Sequence, residues 1–186
     1  RTRELEACNQ RLRRLSTQDD LTGLPNRRFA TMALKRLHAE HLRLGENYAL
    51  ILLDADGFKN VNDTFGHHIG DEALKSIAER LGKTVRNSDI VCRLGGDEFL
   101  VICPHTSEEG AIEVGRKIIG TRSPFIDETS GMCWDGAVSI SISAFRPDAP
   151  LHYRDLLIHA DAALYRSKQN GKGILNIFHP MGPEKF

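Results

Sequence analysis

The stretch Tyr48–Ala55, YALILLDA, sets the first limit on how this chain can fold. Its apolar run has no polar alternation, so it reads as a β-strand buried on both faces rather than one that shows a face to water. The run is far shorter than the ~18 residues of a membrane span, and no signal-peptide pattern opens the chain. Burying such a strand needs a sizeable core. A chain of 186 residues with 40% hydrophobic content can supply one, as a single compact domain with a short extension.

Helical and strand patterns alternate around that strand with short connections. A helix is expected from about Asn26 to Leu44, with GLPN as its leading turn and Gly45 as its stop. After the strand come a turn, a short helix broken at Gly66, and a longer helix whose Leu74, Ile77, Ala78 and Leu81 make one apolar stripe. A hairpin then joins Ile90–Cys92 to Phe99–Ile102. A helix near Glu108–Gly120, a strand through AVSISISAF, a helix near Tyr153–Asn170 and a last strand, GILNIF, complete the order. The fold class is α/β, and a sheet covered by helices on one side fits this order.

The first segment, RTRELEACNQRLRRLST, spaces Leu5, Cys8, Leu12 and Leu15 by threes and fours. That is the seam of a helical stalk able to pair with its own copy, or equally the inner face of an amphipathic helix packed on its own domain. Residues 1–17 are therefore expected as a signalling helix or coiled-coil stalk, 18–180 as the main domain and 181–186 as a C-terminal tail. The chain opens on Arg1, which suggests a piece of a larger protein.

Composition removes several classes of function. The 25 basic and 25 acidic residues cancel, so no global field favours bulk nucleic-acid binding, and any anion must be held locally. Cys8, Cys92, Cys103 and Cys133 show no paired CxxC spacing, which suits a reducing cytoplasm.

Chemistry concentrates at two strand ends. Asp54 and Asp56 stand where the buried strand ends, and Asp97 and Glu98 stand at a glycine-kinked bend in CRLGGDEFLVI. If the two strands are neighbours, these carboxylates converge, and a cation must offset their repulsion. Oxygen donors without a His or Cys cluster select a hard ion, Mg²⁺ or Mn²⁺. Most isolated Asp-Gly pairs are solvated turn residues. A glycine pair before two acids weakens that reading, because it lets backbone approach a ligand closely.

Other motifs fail on spacing. DADGFKNVNDTF has Gly at the fourth position and Phe65 at the twelfth, so it is not an EF-hand. GKG at Gly171–Gly173 lacks the glycine and Ser/Thr spacing of a phosphate loop. His67 and His68 read as solvated or capping groups, and no nucleophile–base–acid triad can be picked out.

Four blocks, DDLTGLPNRR, DADGFKNVNDTFGHHIGDE, RNSDIVCRLGGDEF and ADAALYRSKQNGKG, together resemble the GGDEF family of diguanylate cyclases over about Asp19–Phe178. The resemblance implies a mostly antiparallel central sheet surrounded by helices, like the palm of nucleotide cyclases and polymerases. It implies condensation of two GTP into cyclic di-GMP with release of two pyrophosphates, using two Mg²⁺ or Mn²⁺ ions per GTP. It assigns metal binding to Asp54, Asp97 and the carbonyl of Ala55, with Glu98 as a further metal ligand or as acceptor of the 3′-OH proton. Asp56 remains a turn residue or a neighbour supporting the ligands. Asn62 and Asp71 are implied as guanine readers, Phe58 and Lys59 as the turn whose N–H groups hold the terminal phosphates, and Lys168 and Lys172 as phosphate cations.

Two positions depart from the family pattern. Lys172 stands where Arg is usual, giving a point charge instead of a bidentate fork. Ser143 stands where Gly is usual, adding bulk inside a strand, with little effect expected on chemistry. RNSD, Arg86–Asp89, resembles the family's RxxD inhibitory motif, with Arg86 and Asp89 binding a product dimer; an exposed ion pair at a helix end also explains it. Three functions follow: an active cyclase working as a homodimer, a silent domain serving as a GTP or cyclic di-GMP receptor, and a dimerisation module driven by the stalk. The surviving metal and signature acids favour the first. An upstream sensor acting through the stalk, a cytoplasmic location and no membrane insertion of this fragment are expected with it.

Overall fold

The computed structural model describes residues 17–122, 124–129, 131–170 and 175–177, with the side chains of 125, 127, 132 and 166–170 outside that description. The expected stalk and tail thus lie outside the described residues, apart from Thr17.

Helix α1 spans Arg27–Leu44 because both its ends are capped. The Asn26 side chain accepts from the Phe29 N–H at 3.1 Å, and Gly45, in the left-handed region at φ 69°, donates its N–H to the His41 carbonyl. Strand β1, Tyr48–Ala55, is buried along its whole length. Helix α2, Phe58–Phe65, ends at Gly66, and α3, His67–Thr84, buries Leu74, Ile77, Ala78 and Leu81 as the stripe predicts. Strands β2, Ile90–Gly95, and β3, Glu98–Pro104, form the hairpin. Helix α4, Glu108–Gly120, starts at a Ser107 cap with Glu108 and Glu109 in its first turn.

Two three-residue strands follow, β4, Phe125–Asp127, and β5, Met132–Trp134, paired as a small ribbon that the sequence pattern does not announce. Strand β6, Val138–Phe145, helix α5, Tyr153–Asn170, and β7, Leu175–Ile177, close the order.

The sheet runs β2-β3-β1-β6-β7, antiparallel throughout except for the parallel β6–β7 pair. Side-chain alternation along β1 divides the core in two. Ala49, Ile51, Leu53 and Ala55 pack with residues of α2, α3 and α4, whereas Tyr48, Leu50 and Leu52 pack with residues of α1 and α5. Helices therefore cover both faces, which corrects the one-sided arrangement and agrees with the surrounded sheet that the family resemblance implies. The physical reason is already in β1: a strand apolar on both faces cannot leave one of them to water.

On β6, Ser139, Ser141 and Ser143 are fully buried. The Ser141 hydroxyl donates to the Ala160 carbonyl of α5 at 2.7 Å, while Ser143 Oγ has no hydrogen-bond partner among the described residues. Cys92 and Cys103 are buried free thiols, pushed up to about 12 by that burial, and Cys133 is an exposed one. No helix among the described residues is long and apolar enough to cross a membrane.

Candidate active site at the acidic edge of the sheet

Antiparallel pairing brings the two acidic strand ends together. Asp54 stands opposite Glu98 of β3 on one side and Ser139 of β6 on the other. The Ala55 N–H donates to the Asp97 carbonyl at 3.2 Å, so the end of β1 and the bend of the hairpin are bonded neighbours. Asp54 is only 4% exposed, while Asp97 and Glu98 are half-buried. The bend itself requires glycine: Gly95 and Gly96 have φ of 136° and 53°, where a Cβ is strained.

Asp56 turns to a supporting contact. Its carboxylate accepts from the Ser139 hydroxyl at 2.8 Å, its N–H donates to the Ala137 carbonyl, and its carbonyl accepts from the Trp134 indole at 3.0 Å. The β5 end thereby locks the loop that follows β1.

Two arginines that the sequence reading left without a role hold the bend. Arg93 donates from Nε and Nη2 to the Gly96 carbonyl, at 3.1 and 2.7 Å, and from Nη1 to both carboxylate oxygens of Asp19, at 2.8 and 3.0 Å. Its backbone N–H donates to the Pro25 carbonyl. Partial burial raises the Asp19 carboxyl, but hydrogen bonds from Thr22 and Arg93 outweigh it and hold the group below its usual range. Arg27, at the start of α1, donates to the Leu94 carbonyl at 2.9 Å and to Glu98 Oε2 at 3.2 Å. Both arginines sit inside the blocks DDLTGLPNRR and RNSDIVCRLGGDEF. Nothing in the spacing of residues signals either role, since both depend on which segments the fold brings together.

The remaining predicted residues occupy a second region, on α2 and α3. Phe58 and Lys59 open α2 behind Gly57, which offers no side-chain cap; the Asn60 and Val61 N–H groups donate to the Gly57 carbonyl, while those of Phe58 and Lys59 lie too early in the helix for an intrahelical acceptor. Asn62 faces Gly70: a Cβ on Gly70 would collide with the Asn62 side-chain oxygen and lie 3.2 Å from the Phe58 ring. That Asn62 oxygen is buried without a hydrogen-bond partner among the described residues. Asp71 follows Gly70 on α3 and is half-buried. Lys168 is part of α5, with its side chain outside the description, and Lys172 lies outside the described residues.

Arg86 and Asp89 form a turn after α3. The Asp89 carboxylate accepts from the Arg86 backbone N–H at 3.0 Å, and the Asp89 N–H donates to the Arg86 carbonyl. The Arg86 side chain is exposed. This is a capped turn rather than the side-chain ion pair set out as the plain alternative. A cavity of about 270 Å³ lies on the α1–α5 side of the sheet, walled by Leu34, Leu52, Leu100 and Leu157 with Arg27 and Glu98.

The acidic side chains at this edge, Asp54, Asp97 and Glu98, offer only oxygen, but among the described residues they do not draw together as a ready three-ligand cluster. Such a set fits a hard divalent cation and gives a soft one no nitrogen or sulfur.

Residues 16–173 match the family described as "Diguanylate cyclase, GGDEF domain". The chain is 39% identical over 162 residues to the response regulator PleD of Caulobacter vibrioides, an alignment covering 85% of this chain and 35% of that protein. It is 36% identical over 163 residues to the diguanylate cyclase DosC of Escherichia coli K12, covering 86% of this chain and 35% of that one. It thus spans about a third of the length of these curated relatives. Among solved structures, the coiled coil and GGDEF domain of DgcB from Caulobacter crescentus, in complex with c-di-GMP, superposes with a TM-score of 0.84 at 28% identity, covering 95% of this chain and 93% of that one. With sheet, bend and acids in one register, the chain belongs to the GGDEF family of diguanylate cyclase domains.

Proposed function

We propose that the domain is a diguanylate cyclase that joins two GTP molecules into cyclic di-GMP. The observation that supports this reading is backbone register: Asp54 stands opposite Glu98, and Ala55 beside it is hydrogen-bonded to Asp97 in the glycine bend at the sheet edge. In each of two equivalent steps the 3′-oxygen of one nucleotide bonds to the α-phosphorus of the other. The bond from that phosphorus to the β-phosphate bridge breaks, pyrophosphate leaves, and the 3′-OH proton is lost. Asp54, Asp97 and the Ala55 carbonyl would hold Mg²⁺ or Mn²⁺, and Glu98 would add a ligand or take the proton. Two such ions, when bound, neutralise phosphate charge and ease ionisation of the attacking hydroxyl.

The other residues bind and orient. The unpartnered Asn62 oxygen and the neighbouring Asp71 accept from the guanine N1–H and 2-amino group, donors that adenine lacks. The open N–H groups at Phe58 and Lys59 take the terminal phosphates, with Lys168 and Lys172 adding charge. One domain presents one such site, so two GTP-loaded copies must face each other about a two-fold axis. An upstream sensor acting through residues 1–17 would set that encounter, in the cytoplasm where GTP is available. Arg86 and Asp89 would bind product and slow the enzyme.

Incubation with GTP and Mg²⁺, followed by chromatography, should yield cyclic di-GMP from this chain and none from Asp97→Ala. No product at high protein concentration would overturn the cyclase and leave the receptor. Arg86→Ala should keep its initial rate when product is added; inhibition equal to that of the unaltered chain would remove the feedback site.

A further inference from the structure

A second group of donor side chains sits at the other end of the same strands. Pro104 pairs with Tyr48 at the start of β1, six register steps from the Asp54–Glu98 pair, or about 20 Å along the sheet. There His41, Glu46 and His105 each present one donor atom within 4.8 Å of the other two. His41 comes from the last turns of α1 and is completely buried. The left-handed Gly45 reverses the chain so that the N–H groups of Gly45 and Glu46 both donate to the His41 carbonyl, at 2.9 and 3.1 Å. This folds Glu46 back over His41. His105 directly follows β3 and has φ 49°, the sole non-glycine in the left-handed region among the described residues.

The protonation pattern favours a cation. Nδ1 of His41 lies 3.3 Å from the Glu46 main-chain carbonyl oxygen, which can only accept, so a neutral His41 carries its proton on Nδ1. Nε2 is then left with a bare lone pair, buried and without a hydrogen-bond partner among the described residues. An imidazole held through Nδ1–H by a backbone carbonyl, with Nε2 free, is the way proteins orient histidine ligands. The His105 ring centroid is 4.6 Å from that of His41, and its Nδ1 is 2.6 Å from Glu46 Oε2. Around a tetrahedral zinc ion neighbouring ligand atoms are about 3.3 Å apart, so this last pair need open by only roughly 0.7 Å.

We propose that His41, Glu46 and His105 bind one divalent transition-metal ion, with Zn²⁺ as the ion the donor set suits. Two imidazoles and one carboxylate are a borderline-soft set, unlike the all-oxygen edge, and Mg²⁺ does not compete for it. The ion takes the place of the proton shared by Glu46 and His105 and accepts the lone pair that His41 Nε2 otherwise leaves unused. It joins the end of α1, the turn into β1 and the exit of β3. The fourth position is left to water, since Glu46 and His105 are 45% and 62% exposed.

The test is calorimetric titration of the tag-free chain with ZnCl₂ in millimolar Mg²⁺, which occupies the acidic edge, beside Co²⁺ substitution read by visible absorption. One Zn²⁺ per chain, a rise in unfolding temperature and a tetrahedral Co²⁺ spectrum are expected. Glu46→Gln and His105→Ala alter exposed groups and should fold normally, yet each should weaken Zn²⁺ binding at least tenfold. Cys133→Ser and the double variant His67→Ala/His68→Ala should bind as the unaltered chain does. Binding that survives both Glu46→Gln and His105→Ala, or that disappears with Cys133 or with His67 and His68, would overturn the proposal, as would a titration with no heat and no stabilisation.

Discussion

The two ends of β1 and β3 share strands but differ in what they bury. At the Asp54–Glu98 end, acids stand in register beside a strained glycine bend, and on α2 the side-chain oxygen of Asn62 is buried without a hydrogen-bond partner among the described residues. At the Tyr48–Pro104 end, Tyr48 is fully buried, stacks on Phe145 with ring centroids 5.0 Å apart, and its hydroxyl meets His38 Nδ1 at 3.0 Å. The first end gives up local stability to keep groups available for a ligand; the second joins a packed aromatic core, which supplies stability, to a margin where His41 Nε2 is buried without a hydrogen-bond partner among the described residues and His105 sits at φ 49°. A short sheet can therefore carry most of its packing at one end and its acidic donors at the other.

That contrast can be broken by substitution. Tyr48→Ala should have the largest effect, a loss of about 3–5 kcal/mol of folding free energy read from urea unfolding. An unchanged midpoint would mean that the packed end is not the stabilising one. Asp97→Ala should do the opposite: GTP turnover falls by ~10²-fold or more, while the unfolding midpoint stays level or rises as carboxylate repulsion is relieved. Gly70→Ala comes next, because the added Cβ displaces the Asn62 oxygen. The KM for GTP should rise about tenfold with kcat little altered, the size of one lost buried hydrogen bond.

The smallest effect is the pH dependence of the bend. The Asp19 carboxyl titrates below its ordinary value of 3.8 when folded, so the folded chain binds fewer protons than the unfolded one in that range. The stabilisation is complete above about pH 5 and fades as pH falls through the folded value. Asp19→Asn should lose this slope; the same acid profile in both proteins would remove Asp19 as its source.

Much of this arrangement is legible in the residues. The caps Asn26 and Gly45 bound α1, the unbroken apolar run marks β1, and Gly95-Gly96 before two acids marks the bend. What stayed hidden depends on distance through space. Arg27 and Arg93 look like ordinary solvated charges, yet they bond partners 67 to 74 positions away. One-sided cover does not follow from β1: its two apolar faces call for helices on both sides, and the order of elements does not reveal the face each helix takes. The β4–β5 ribbon has strands of three residues, too short for a period to register. Nor does spacing reveal that Gly70 leaves room for the Asn62 oxygen, since that depends on how α2 meets α3.

The clasp between Asp19, Arg93 and Gly96 has a mechanical consequence. Asn26 donates its N–H to the Thr17 carbonyl and Arg93 donates its own to Pro25, so the loop between Thr17 and Asn26 is stitched directly to the signature turn. A tug or twist delivered at Thr17 need not travel through the hydrophobic interior to be felt by the acids; it arrives across two guanidinium links, as a rein reaches a bit.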